Sequence, residues 1–141
     1  MIIGAGGRIA GYAVANDVSA RDLQKRERAV DAREGLRRRL PVRPLDHHRR
    51  RDRRSAARCT CRSDVNGELR QDSSTGDMIF SPQQVCDFLA ETCTLHPGDV
   101  ILTGTPAGVG MSMDPPRFLN GGDIVRIEIE QLGAIQQTVR V

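Results

Sequence analysis

The sequence has no tryptophan, one tyrosine and three phenylalanines among its 141 residues. Its core therefore lacks most of the large rings that bury the greatest area per side chain. It has a single lysine, Lys25. No run of 18 apolar residues occurs, so no segment reads as a transmembrane helix. The apolar opening, Met1 to Ala15, has no basic residue ahead of it and is interrupted by glycines, which does not fit a secretion signal. A cytoplasmic protein is the expectation. The four cysteines include no C-x-x-C pair: Cys59-Thr60-Cys61 stands near His47-His48 at a spacing that does not close a tetrahedral zinc site. Cys86 and Cys93 read as core residues of a helix.

What is present is unevenly spread. Residues 25–63 hold 15 of the 21 Lys and Arg and 5 of the 18 Asp and Glu, a net of +10, which leaves −7 for the rest of the chain. This basic stretch has no aromatic residue and few apolar ones, so it cannot bury enough surface to offset the entropy of ordering, and it is expected to be disordered. Its charge would attract phosphate. Without aromatics to stack on bases, and without a recognisable module, nucleic acid is not the expected partner.

Three pieces follow: 1–24, 25–63 and 64–141. In the first, Ile2-Ile3 and Tyr12 to Ala15 read as short buried strands, with Gly4 to Gly7 as the turn between them. Gly4 and Gly6 begin a G-x-G-x-x-G pattern, but Ile9 occupies the third glycine's place, so the dinucleotide-binding reading is dropped. In the third piece, Asn66-Gly67 predicts a type I′ hairpin turn. Ser81-Pro82-Gln83-Gln84 predicts a capped helix start, with Val85, Phe88, Leu89 and Thr92 on one face. His96-Pro97-Gly98-Asp99 and Asn120-Gly121-Gly122-Asp123 are similar turns, leading into strands at Val100 to Leu102 and Ile124 to Glu130. Leu132-Gly133 turns into a last strand. The expected fold is mixed and β-rich (α+β), with one helix.

Two features suggest chemistry. The loop Thr103 to Gly110 is rich in glycine, which permits close backbone approach, and it carries the hydroxyls of Thr103 and Thr105. No lysine follows its glycines, so it is not a P-loop. Asp17 directly follows an apolar strand, where a carboxylate can bind a hard cation or can simply stabilise a turn.

Four motifs resemble the fumarylacetoacetate hydrolase family: Gly11 to Gln24, Val65 to Thr75, Met78-Ile79-Phe80, and Pro97 to Gly110. The resemblance implies a β-roll, incomplete here, and an enzyme that is usually a homodimer. It also implies a divalent metal, Mg²⁺ (or Mn²⁺ or Ca²⁺), and small diketo acid, dicarboxylate or 2-hydroxydienoic acid substrates. The implied reaction is C–C bond hydrolysis or keto–enol isomerisation. By position, Asp17 looks like the family's metal-binding aspartate. Gln24 looks like a substrate-facing glutamine, and Thr105 like a contact to a substrate carboxylate or carbonyl oxygen.

Two departures accompany the resemblance. The family's Glu-x-Glu pair, which supplies further metal ligands, has no counterpart, since no Glu precedes Glu27. The family's catalytic-segment lysine is missing too, because Lys25 is in a different context. The codons of Ala29 to Arg37 can, one nucleotide later, spell Gln-Trp-Thr-Arg-Gly-Lys-Gly-Phe-Asp, and those of Leu40 to Leu45 can spell Cys-Pro-Phe-Gly-Pro-Trp. Both match the family's segment at the family's location. The basic stretch is therefore expected to be out-of-frame translation between shifts near Lys25–Glu27 and Cys59–Ser63. With one carboxylate in place of three, this chain is expected to lack tight metal binding and activity.

Overall fold

The computed structural model describes residues 1–19, 21, 42–43 and 58–140. Gln24, Lys25, His47, His48 and most of the basic stretch lie outside them. Among the described residues the protein is strand-rich with one α-helix, as expected.

Eight strands are described: β1 (Ile2–Ile3), β2 (Ile9–Gly11), β3 (Val14–Ala15), β4 (Val42–Arg43), β5 (Thr60–Val65), β6 (Glu68–Ser74), β7 (Ile124–Ile129) and β8 (Gly133–Thr138). The helix α1 spans Pro82–Ala90. β1 pairs with β2 and β3 with β4, while β6-β5-β7-β8 form one antiparallel sheet in that order.

The sheet forms where the sequence alternates. Along β7, Val125, Ile127 and Ile129 face one side while Arg126 and Glu128 face the other, where Arg126 and Glu128 pair at 2.7 Å. The β5–β6 hairpin closes at Asn66-Gly67, whose φ angles of 55° and 80° are those a type I′ turn requires. Asn66 also braces the start of β7: its Nδ2 donates to Asp123 Oδ1 and its Oδ1 accepts from Ile124 N, both at 2.8 Å. The two turns with similar sequences are also alike in structure. His96 N donates to Asp99 Oδ2 at 2.7 Å, and Asn120 N donates to Asp123 Oδ2 at 2.8 Å. Gly98 and Gly122 take φ values of 95° and 93° in the same relative place.

The core is small. Met1, Ile3 and Cys86 are buried together, with Ile9, Tyr12, Val85, Leu95 and Ile101 packed around them. Burial pushes the Cys86 thiol up from its ordinary range. Helix α1 starts as its sequence demands: Ser81 Oγ accepts from Gln84 N, and Gln84 Oε1 accepts from Ser81 N at 2.8 Å.

Five details differ from the sequence reading. The helix buries Cys86 with Val85 beside it, while Phe88 is 67% exposed and Thr92 lies beyond the helix end. Nine residues give α1 only two and a half turns, and the small core admits one narrow stripe. Cys93, expected in the core, is exposed for the same reason. The strand expected at Val100 to Leu102 is reduced to a single bridge, Val100 with Ile2, although Ile101 N also donates to Met1 O at 2.9 Å. β2 was not expected, because Ile9-Ala10-Gly11 is too short to show a period. Finally, two strands fall in the basic stretch that the sequence reading expects to be disordered: β4 at Val42–Arg43, paired with β3, and β5, which takes in residues 60–63. Charge alone hides β5, because Arg62 faces outward to Asp72 at 3.0 Å while Ser63 is buried on the other side.

Candidate functional site

The glycine loop reaches its position through β6. At Ser63/Asp64 the β5–β6 register shifts, so Ser63 pairs with Gln71 and Asp64 with Leu69, and Arg70 is the extra residue. The shift aims Gln71 at the loop. Its Nε2 lies 2.9 Å from both Thr105 Oγ1 and the Pro106 carbonyl, and its Oε1 accepts from Ser63 Oγ at 2.7 Å. Gly108 makes the approach possible. It has φ of 104°, and a Cβ there would collide with the Arg70 carbonyl and come within 3.1 Å of Gln71 Cγ. Arg70 ties β6 to the chain beyond the loop through Met113 Sδ at 3.0 Å and pairs with Glu68 at 3.4 Å, while its buried Nε has no partner. Thr105 is exposed at the loop surface.

Asp17 is carried by β3, which packs on β7 and β8 through Val14, 1% exposed. Next to it, Asn16 Nδ2 donates to Gln137 Oε1 on β8 at 3.3 Å, and the buried Gln137 Nε2 has no partner. The Asp17 carboxylate itself is exposed.

The strand register relates these two anchors. Gln71, Ser63, Ile127 and Ile135 stand in one row across β6, β5, β7 and β8. Gln137 is two residues beyond Ile135 on β8, so it projects from the same face as Gln71. The glutamine holding Thr105 and the glutamine holding Asn16 thus stand on one face at opposite edges of the sheet, about 14 Å apart across three strand spacings and offset by two residues, about 7 Å, along the strands. Between them the face presents buried Ser63 and the apolar side chains of Val125 and Ile127.

None of these supporting residues was singled out from sequence. Gln71 lies inside a motif that carries the resemblance, and its signal was a polar side chain on the strand face that is otherwise turned inward. Gln137 carried no local signal. Gln24 lies outside the described residues.

A hard divalent cation requires several converging oxygen ligands. Among the described residues no group of three His, Cys, Asp or Glu side chains converges on one point. Asp17 by itself does not make a complete metal centre. In the C-x-C segment Cys59 is buried and burial raises the Cys61 thiol, while His47 and His48 lie outside the described residues. No described helix is long and apolar enough to cross a membrane.

Comparisons with known proteins agree with this architecture. The oxaloacetate tautomerase YisK of Bacillus subtilis is 40% identical over 129 residues, which is 92% of this chain and 42% of that protein. The 2-hydroxyhepta-2,4-diene-1,7-dioate isomerase of Mycobacterium marinum superposes with a TM-score of 0.76 at 37% identity, over 92% of this chain and 47% of that one. The 5-carboxymethyl-2-hydroxymuconate delta-isomerase of Mycobacterium smegmatis superposes with a TM-score of 0.79 at 32% identity, over 99% of this chain and 55% of that one. The chain thus spans about half the length of these relatives. The family pattern described as fumarylacetoacetate (FAA) hydrolase C-terminal matches residues 4–140. With that match over nearly its whole length, the chain belongs to the fumarylacetoacetate hydrolase family.

Proposed function

We propose that this chain carries one part of the site of a metal-dependent hydrolase or isomerase acting on small diketo, dicarboxylic or 2-hydroxydienoic acids. The observation that supports it most is that the Thr105 loop and the Asn16–Asp17 segment are anchored by glutamines on a single sheet face. The Thr105 loop offers a hydroxyl at one edge of that face, and the Asn16–Asp17 turn offers a carboxylate at the other. The names of the relatives, a tautomerase and two isomerases, favour keto–enol isomerisation over hydrolysis as the reaction.

In this reading Thr105 donates to a substrate oxygen on which negative charge develops, and a donor already in place there lowers the barrier without reorganisation. Asp17 is the one metal ligand carried over from the resemblance, and Gln24 the substrate-facing side chain. Mg²⁺, Mn²⁺ or Ca²⁺ requires ligands in addition to Asp17, and among the described residues no further set of carboxylates converges on one point. A homodimer belongs to the same proposal, and sedimentation of the purified chain tests it.

In the same proposal, out-of-frame translation runs from a shift near Lys25–Glu27 to one near Cys59–Ser63 and covers the segment that holds the family's lysine. The nucleotide sequence tests this directly: codons that cannot spell Lys across Glu34 and Gly35 refute it.

The activity is tested with a chimera. The upstream half of the Bacillus tautomerase precedes residue 4, and residues 25–63 are exchanged for the corresponding segment of that tautomerase. Ketonisation of enol-oxaloacetate, followed by ultraviolet absorbance with Mg²⁺ or Mn²⁺, is expected to accelerate, and Asp17→Asn to lower kcat about a hundredfold or more. An active chimera indifferent to Asp17→Asn refutes the assignment, and so does a folded chimera with no activity.

A further inference from the structure

We infer that Gln71 is a positioning residue that fixes the polarity of the Thr105 hydroxyl, turning it into a hydrogen-bond donor toward an anionic oxygen of the ligand. This inference rests on the proposed carboxylic-acid site and adds to it the reason for its sign preference.

One atom of this cluster has no choice of role. A peptide carbonyl only accepts hydrogen bonds. The end of the Gln71 amide that lies 2.9 Å from the Pro106 carbonyl must therefore be the NH₂ group, whichever way the two ends are drawn. That same nitrogen lies 2.9 Å from Thr105 Oγ1. Its two hydrogens are then both used, one on Pro106 O and one on Thr105 Oγ1. The opposite end, the carbonyl oxygen, accepts from the hydroxyl of buried Ser63 at 2.7 Å. Turning the amide over would set two carbonyl oxygens against each other, so the orientation is locked.

Thr105 inherits its polarity from this arrangement. Its oxygen accepts from Gln71, so its own hydrogen points elsewhere, and among the described residues it meets no acceptor. The loop surface thus presents a hydroxyl hydrogen rather than a lone pair. The chain Ser63 to Gln71 to Thr105 runs donor to acceptor in one direction, so each bond polarises the next toward the ligand. An oxygen bearing negative charge, as in a carboxylate or an enolate, is what such a hydroxyl binds best. A ligand offering N–H or O–H at that place would face a second donor. Gly108 contributes by letting the loop rest on the Arg70–Gln71 backbone, which sets the distances.

The test uses the whole chain, oxalate as the probe, and amide shifts of residues 103–110 to obtain the dissociation constant. Gln71→Glu, nearly the same shape, replaces the NH₂ by an acceptor that takes the Thr105 hydrogen. It is expected to weaken oxalate about tenfold or more. Gln71→Met also loses the bonds to the loop but adds no acceptor, so the hydroxyl remains free to turn, and oxalate is expected to bind within about threefold of wild type. In a Thr105→Val background the loss from Gln71→Glu is expected to shrink to the charge repulsion alone, which acts in both backgrounds and cancels in the comparison.

Three outcomes overturn the inference. If Gln71→Met weakens oxalate as much as Gln71→Glu, the side chain merely holds the loop. If Gln71→Glu costs the same with Val at position 105, the effect does not pass through the hydroxyl. In both cases the proposed function stands. A wild-type chain whose loop amides do not respond saturably to oxalate removes the carboxylate site itself, and both readings fall.

Discussion

The close approach of Gly108 to the β6 backbone gives a stability prediction with its own internal control. Gly108 and Gly104 have nearly the same backbone angle, φ of 104° and 102°. Alanine at either position is forced into a region that L-residues avoid, at a cost of about 1–2 kcal/mol. The surroundings differ completely. A Cβ at Gly104 meets nothing within 4 Å, whereas at Gly108 it collides with the Arg70 carbonyl and approaches Arg70 C at 3.0 Å and Gln71 Cγ at 3.1 Å. Strand backbone cannot yield as a flexible side chain can, so in Gly108→Ala the loop lifts. Both bonds from Gln71 Nε2 are then lost, at about 0.5–1.5 kcal/mol each. The expected totals are about 1–2 kcal/mol for Gly104→Ala and about 2–5 kcal/mol for Gly108→Ala. Urea unfolding followed by circular dichroism measures both. Exchange of the amides of residues 107–110 shows whether the loop has detached before the sheet unfolds. If Gly108→Ala is no more destabilising than Gly104→Ala, the loop does not rest on β6 and the basis for the Thr105 geometry is gone.

Other consequences follow from local contacts. Ser81→Ala removes the cap of α1 and is expected to cost about 0.5–2 kcal/mol by urea unfolding, with Ser81→Asp retaining most of it. Asn66→Ala loses both bonds at 2.8 Å and places a side chain without local hydrogen bonding at positive φ; a cost of about 2–3 kcal/mol is expected, and a neutral result would show that the hairpin does not need this brace. The Asp123 carboxyl is held below its ordinary range, first by the Asn120 N–H and then by the Asn66 amide. Its folded value lies under its unfolded one, so its contribution is complete above about pH 4 and disappears as acidification passes the folded value. Carboxyl carbon titration by NMR is expected to show this depressed midpoint, and Asn66→Ala is expected to raise it toward normal.

Local chemistry made much of this protein legible from sequence. The hairpin at Asn66-Gly67, the helix start at Ser81, the two turns ending in Asp99 and Asp123, and the alternation of β7 each depend on residues a few positions apart. Their determinants are written contiguously, and tertiary context had nothing to overrule. Asp17 and Thr105 were legible only as members of motifs, because a single carboxylate or hydroxyl has many uses. The burial pattern of α1 was misread because the core available to it is narrower than its apolar face, and β5 was hidden behind arginines that turn outward.

The support beneath the candidate site belongs to the tertiary structure. Ser63, Gln71 and Pro106 are brought together by a register shift that leaves Arg70 unpaired, and Gln137 meets Asn16 from 121 positions away. Sequence determined which segments would turn, cap and alternate, because those preferences act between near neighbours. Only the folded sheet decided which side chains share a face, because one residue of register moves every side chain to the opposite side.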